Sequence, residues 1–188
     1  MVDGAAMTME IIRTLYAYSR WANQRVLAKT TELTPAQYRA SGHASFSSVR
    51  DTLVHTIWGQ AHWLSRWQTG QSVPVYDPAD YDDPETLRRH WQAIDDETDA
   101  FIAGLDETTV AQVIHYRNSR NEAESYPLWQ VLLHQVNHAT QHRSEVAMLL
   151  TDYGHSVGWL DMTSFLSSNR DRKVLAQADE EDRQDLPS

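Results

Sequence analysis

The chain has 188 residues, enough for one domain with a substantial core, and 26 acidic against 16 basic residues leave it a net charge of −10. That charge repels phosphate backbones and anionic lipid, so neither nucleic acid nor a membrane is expected as a partner, and a small-molecule substrate is favoured. With no cysteine there are no disulfides and no thiolate ligands, so a bound ion must be held by nitrogen and oxygen.

The opening MVDGAAMTMEII has no basic segment leading into a long apolar run, and no apolar stretch reaches the roughly 18 residues of a membrane span; a cytoplasmic protein is expected. From about Thr8 to Thr30, residues such as Ile12, Leu15, Tyr16, Ser19, Ala22, Asn23 and Val26 recur at spacings of three and four, the period of a first helix. Glu32 to Ala44, with Pro35 and Gly42, reads as a connector with room for a short helical turn. A second helix is predicted from about Ser47 to Gln68, with Ser47 or Ser48 as N-cap and Gly70 just past its end. The connector from Thr69 to Pro84 contains Gly70, Pro74, Pro78 and Pro84. A link of that length can carry the chain back along a bundle to begin a parallel helix, so a long crossover is expected.

The third helix, Pro84 to Leu105, opens with proline near its first position and Glu85 in its first turn, and buries Leu87, Trp91, Ile94, Thr98, Phe101 and Leu105. Its run Asp95, Asp96, Glu97 and Asp99 reads as a solvated face. Between Val110 and Tyr126 the helical period fails, and VIHYR and ESYPL around NSRNEA predict a small β-hairpin with Asn118 and Asn121 in the turn. A long helix from Tyr126 to Tyr153 follows, ended by Gly154 and Gly158. Asp161 is placed to cap a short final helix, MTSFLSSNRDRKVL, and the acidic tail from Ala176 is expected to be poorly ordered. The domain expected is 1–168, with a polar tail at 169–188.

The long helix carries His134, His138 and His142 four residues apart. At about 100° per residue, His138 and His142 lie within about 40° of each other on the apolar side, with His134 at its edge. One turn apart on one face, His138 and His142 can offer ring nitrogens to a single ion, the third donor coming from another helix. With nine histidines in the chain, a pair satisfied by core carboxylates or water competes with this reading. Helix two offers His55 and His62 on one face, turned away from the stripe of Leu53, Val54, Ile57, Ala61 and Leu64, so that face is either simply wet or lines a pocket. Glu145, about 60° from His142, is a candidate acceptor or base, with a surface helix-former as the plainer reading. His43, His90, His115 and His155 receive no role. Glu-x-x-His, His-Glu-x-x-His and Gly-x-Ser-x-Gly are all absent, which argues against di-iron, zincin and serine-hydrolase chemistry.

From about Ile11 to Leu166 the sequence resembles the DinB/YfiT-like family of metal-dependent bundles. The segments that carry the resemblance are SRWANQRVL, TLVHTIWGQAHWLSRW and PLWQVLLHQVNHATQHRSEVAMLL. It implies an all-α four-helix bundle in up-down-down-up order, a homodimer, and a divalent ion on three histidines that map onto His55, His138 and His142. Arg143 matches the pattern, whereas Ser144 and Glu145 stand where a small residue and Gln often follow it. Relatives that use low-molecular-weight thiols point to a thiol S-transferase acting on a small electrophile, with Glu145 or His62 as proton acceptor. Zinc or nickel is expected first, iron or manganese next. The rival expectations are a non-catalytic metal-binding or stress-response protein, its ion structural or sensory, and a plain bundle without an ion.

Overall fold

Capping side chains set where each apolar-periodic stretch begins. The structure, a computed structural model, describes residues 4–42 and 44–170. Helix α1 spans Gly4–Thr30, and the connector after it holds a five-residue helix α2, Pro35–Arg39, started by a Thr34–Gln37 capping box. Helix α3, Val49–Thr69, begins where Ser48 accepts the Asp51 N–H and ends on Gly70 at φ 72°, a left-handed conformation that glycine adopts without strain. The crossover contains one 3-10 turn, Pro78–Tyr81, before Asp83 caps α4, Pro84–Ala103. A short α5, Glu107–Ala111, capped by Asp106, then leads to the hairpin of β1 (Val113–Arg117) and β2 (Ala123–Pro127). The strands pair antiparallel from Val113↔Pro127 to Arg117↔Ala123, and Asn121 turns the chain at φ 62°. Helix α6, Leu128–Asp152, completes the bundle.

Contacts between helices fix their directions. Arg13 reaches the Leu105 carbonyl and Arg20 pairs with Asp96 and Asp99, so α4 runs against α1. Gln60 meets Asp95 and Trp67 stacks with Phe101, so α3 and α4 are parallel, as the long crossover allows. His55 lies beside His142, and Trp63 beside His134, so α6 runs against α3. Tyr16 donates to the Leu132 carbonyl and Arg143 donates to Asn23, so α6 is parallel to α1. The order is up-down-down-up. The bundle is closed by apolar residues including Ile12, Val26, Leu53, Ile57, Leu87, Trp91, Leu132 and Val146, each at most 2% exposed.

The acidic run of α4 is not uniformly solvated, contrary to the sequence expectation: Asp95 is 3% exposed and accepts a hydrogen bond from Gln60. Helix α5 goes unseen in the sequence because five residues are too few to set a period. After α6 the backbone turns at Gly154, φ 83°. A second compact unit begins at Gly158; in it residues 162–170 are helical and the Ser164 N–H donates to Asp161 at 3.0 Å, the cap expected there. The rest of that predicted helix and nearly all of the tail lie outside the described residues, as does His43. Among the described residues no helix is long and apolar enough to cross a membrane.

Candidate metal centre

The antiparallel contact of α3 and α6 brings three imidazoles together. His55, His138 and His142 each offer a ring nitrogen, and these nitrogens lie within 4.8 Å of one another. Nε2 of His55 is 3.1 Å from Nε2 of His138. Two nitrogens bound about 2.1 Å from one ion stand about 3.0 to 3.4 Å apart in octahedral or tetrahedral geometry, so this separation suits a shared cation as well as a hydrogen bond. Sequence periodicity alone leaves His55 between a wet face and a pocket, and the structure puts it at the pair on α6.

Several features hold the rings in place. Phe46 stacks on His55 with centroids 3.8 Å apart and meets His142 edge-on at 5.5 Å. Gly59 leaves room for His138 itself: a Cβ there would come 3.0 Å from the imidazole Cε1, so the glycine permits the ring's approach rather than opening a space for ligand. His142 is 4% exposed, and its Nδ1 lies 3.1 Å from a Glu145 oxygen. Glu145 in turn accepts from the Ser45 N–H at 3.2 Å and the Ser45 hydroxyl at 2.7 Å. Burial raises the pKa of Glu145, but the bonds from Ser45 and His142 outweigh it and hold the carboxyl below its usual range. Glu145 is therefore fixed as the outer partner of His142, leaving Nε2 of that ring as its available donor. Ser45 and Phe46 belong to a turn that passes through Ser47 at φ 70°; no periodicity marks such a turn, which is why sequence reading misses both residues.

Burial keeps two of the three imidazoles neutral. Burial, followed by the charge of His142, pushes His55 down to about 4. Burial, followed by His142, His55 and His134, does the same for His138, also to about 4. A neutral imidazole is the form that binds metal. Nδ1 of His138 is buried without a hydrogen-bond partner. His62 stands apart from the cluster: its ring is 4.8 Å from that of Trp58, and burial, then the charge of Arg66, lowers its pKa. His134 reaches Trp63 and His138 but not the convergent nitrogens. His90 pairs with Tyr81, His115 with Ser125 and His155 with Glu32. Arg143, 3% exposed, donates to Asn23 and Thr140 and covers Tyr18, so the Arg that follows the second ligand position joins α6 to the Ser-Arg-Trp-Ala-Asn segment of α1.

Set beside known proteins, the sequence model of the DinB family matches residues 2–182. A relative from Bacillus subtilis (strain 168), "Protein DinB", is 21% identical over 165 residues, covering 85% of this chain and 96% of that protein.

Proposed function

Since the chain belongs to the DinB family, we propose that its three convergent imidazoles hold one divalent metal ion and that the protein is a metal-dependent enzyme acting on a small molecule. The observation that carries this reading is the cluster itself, three ring nitrogens within 4.8 Å of one another, drawn from two helices and two of them kept neutral by burial. The donor set suits the ion, since imidazole is a ligand for zinc, nickel and iron, with zinc or nickel preferred. Bound there, such an ion supplies Lewis acidity, the means by which a water or a thiol becomes a nucleophile near neutral pH.

The chain's own groups do the rest. Glu145 holds the proton on Nδ1 of His142 and so fixes the tautomer that presents Nε2. Phe46 stacks on His55 and Trp58 lies tilted beside it, which together hold the ring's orientation. His62 lies beyond Trp58 with a depressed pKa, a neutral imidazole available as proton acceptor; Glu145, already engaged twice, is the weaker candidate for that role. Transfer of a low-molecular-weight thiol to a small electrophile is the reaction to try first, supported by the family resemblance. The resemblance likewise supports a homodimer in the cytoplasm, which light scattering on the purified protein and fractionation of cells check.

The experiment is to strip the protein, reload it with zinc, nickel, manganese or iron, and follow metal content and turnover of thiol and hydrolytic substrates together. Stoichiometric metal with metal-dependent turnover is expected; absence of both sinks the reading. Because the donors come from two helices, an ion there also staples α3 to α6, which favours a structural or sensory ion as the second reading. That reading predicts stoichiometric metal without turnover and a large fall in melting temperature on chelation, whereas an enzyme loses activity well before its fold.

A further inference from the structure

Two rows of rings lead away from the histidine cluster, and both end at one guanidinium. Along α3, His55, Trp58 and His62 follow one another with centroids 5.6 and 4.8 Å apart. From α6, His138, His134, Trp63 and Tyr116 are linked at 6.1, 5.3 and 5.2 Å. Arg66 stands one turn beyond His62, its Cζ 5.1 Å from the Trp63 ring and 4.6 Å from that of Tyr116. Its Nη2 donates to the Arg117 carbonyl of the hairpin at 2.7 Å. The guanidinium is thus oriented in advance by two ring faces and a carbonyl.

What it lacks is an acid. The ion pairs among the described residues leave Arg66 without a carboxylate, in a chain whose acids outnumber its bases by 26 to 16. Its side chain is only partly exposed, and burial weighs against its charge. On three successive turns of α3, Trp58 Nε1, His62 Nδ1 and Arg66 Nε are buried with no hydrogen-bond partner; the Val73 main chain bonds the His62 ring without engaging Nδ1. The unmet N–H groups of Trp58 and Arg66, the latter on an unpaired cation, are costly unless an acceptor visits them.

We propose that Arg66 is the anion-binding end of the substrate site, taking the carboxylate of a small, elongated molecule whose reactive end lies at His55, His138 and His142. The inference rests on the metal reading for the identity of that reactive end. Residues 55 and 66 are eleven positions apart, about 16 Å along a helix, which after ion and guanidinium contacts leaves about 10 Å for the ligand, roughly an eight-carbon chain. Both side chains lean toward the helix N-terminus, so the span between their tips is similar. Trp58 and His62 then lie alongside the chain of the ligand.

The test is a titration of cobalt(II)-loaded protein with 8-mercaptooctanoate and, in parallel, with 8-mercaptooctan-1-ol, the same chain without the charge, read by thiolate-to-cobalt absorption. The acid is expected to bind about tenfold tighter than the alcohol, the size of one charge-assisted pair. Arg66→Gln removes that preference and Arg66→Lys keeps part of it, both with unchanged cobalt content. Equal affinity of acid and alcohol for the native chain overturns the proposal without reference to any variant. If the native chain takes up no cobalt, the metal reading has failed, and octanoate against octanol, read by quenching of the tryptophan fluorescence, decides Arg66 alone. A preference for octanoate that Arg66→Gln abolishes upholds the anion site; no preference removes it.

Discussion

Helix α3 carries two polar clusters, and they differ in how their hydrogen-bonding atoms are used. Toward α4, Gln60 donates to Asp95 at 2.9 Å and to Thr98 at 3.1 Å while accepting from Trp91 Nε1 at 3.0 Å. Toward α6, His55, His138 and His142 converge, yet Nδ1 of His138 has no partner. The first cluster is complete without any visitor and sets how α3 lies against α4. The second keeps an unmet nitrogen and three ring nitrogens close enough to share an ion. Burial alone does not distinguish the two clusters, but the satisfaction of their buried atoms does.

The largest expected break in that contrast is His138→Ala, which should leave no stoichiometric metal by elemental analysis while the helical circular dichroism persists. Metal retained at one equivalent would mean that the ion sits elsewhere. Next comes Asp95. Burial pushes its carboxyl up to about 7 from 3.8, although the Gln60 bond and the charge of Arg20 pull the other way. The folded state therefore keeps a proton that the unfolded chain gives up near pH 4, and native stability should fall as pH climbs from about 4 to about 7, by at most about 4 kcal/mol. His55 and His138, held down to about 4, act in the opposite sense and lose stability as pH falls from about 6.5 to about 4. In urea titrations of metal-free protein, Asp95→Asn should abolish the first slope, keep the second, and be more stable than the native chain at pH 8.

Gln60→Ala should cost about 3 kcal/mol, because it strands Asp95 and Trp91 together while Thr98 keeps its bond to the Ile94 carbonyl, yet leave metal uptake nearly unchanged. Comparable losses of stability and of metal would show that the two clusters are one unit. The smallest effect expected is from Glu145→Gln, which keeps the shape but weakens the acceptor on His142; metal affinity should drop about tenfold in a competition titration, with little change in melting temperature.

Much of the bundle was legible in spacing. The apolar residues of α1, α3, α4 and α6 recur at helical intervals, and the proline-rich crossover from Thr69 to Pro84 is long enough to allow parallel α3 and α4. His138 and His142 were readable for the same reason, since one turn of one helix separates them. His55 was different: its own helix turns it away from the apolar stripe, and only the resemblance pointed to it. Asp95 misled as one member of an acidic run, because a partner such as Gln60 on another helix leaves no trace in local charge.

Legible in the chain alone is whatever repeats along a single segment: the long helices, the caps at Ser48 and Asp161, and the two imidazoles one turn apart on α6. Packing alone brings separate segments together: His55 on His138, Phe46 and Ser45 reaching in from a turn, Arg66 held by a hairpin without a carboxylate. The reason is physical. Periodicity follows from backbone geometry that neighbouring residues share, whereas the satisfaction of a buried polar atom depends on groups that lie tens of residues away and meet only when the helices pack.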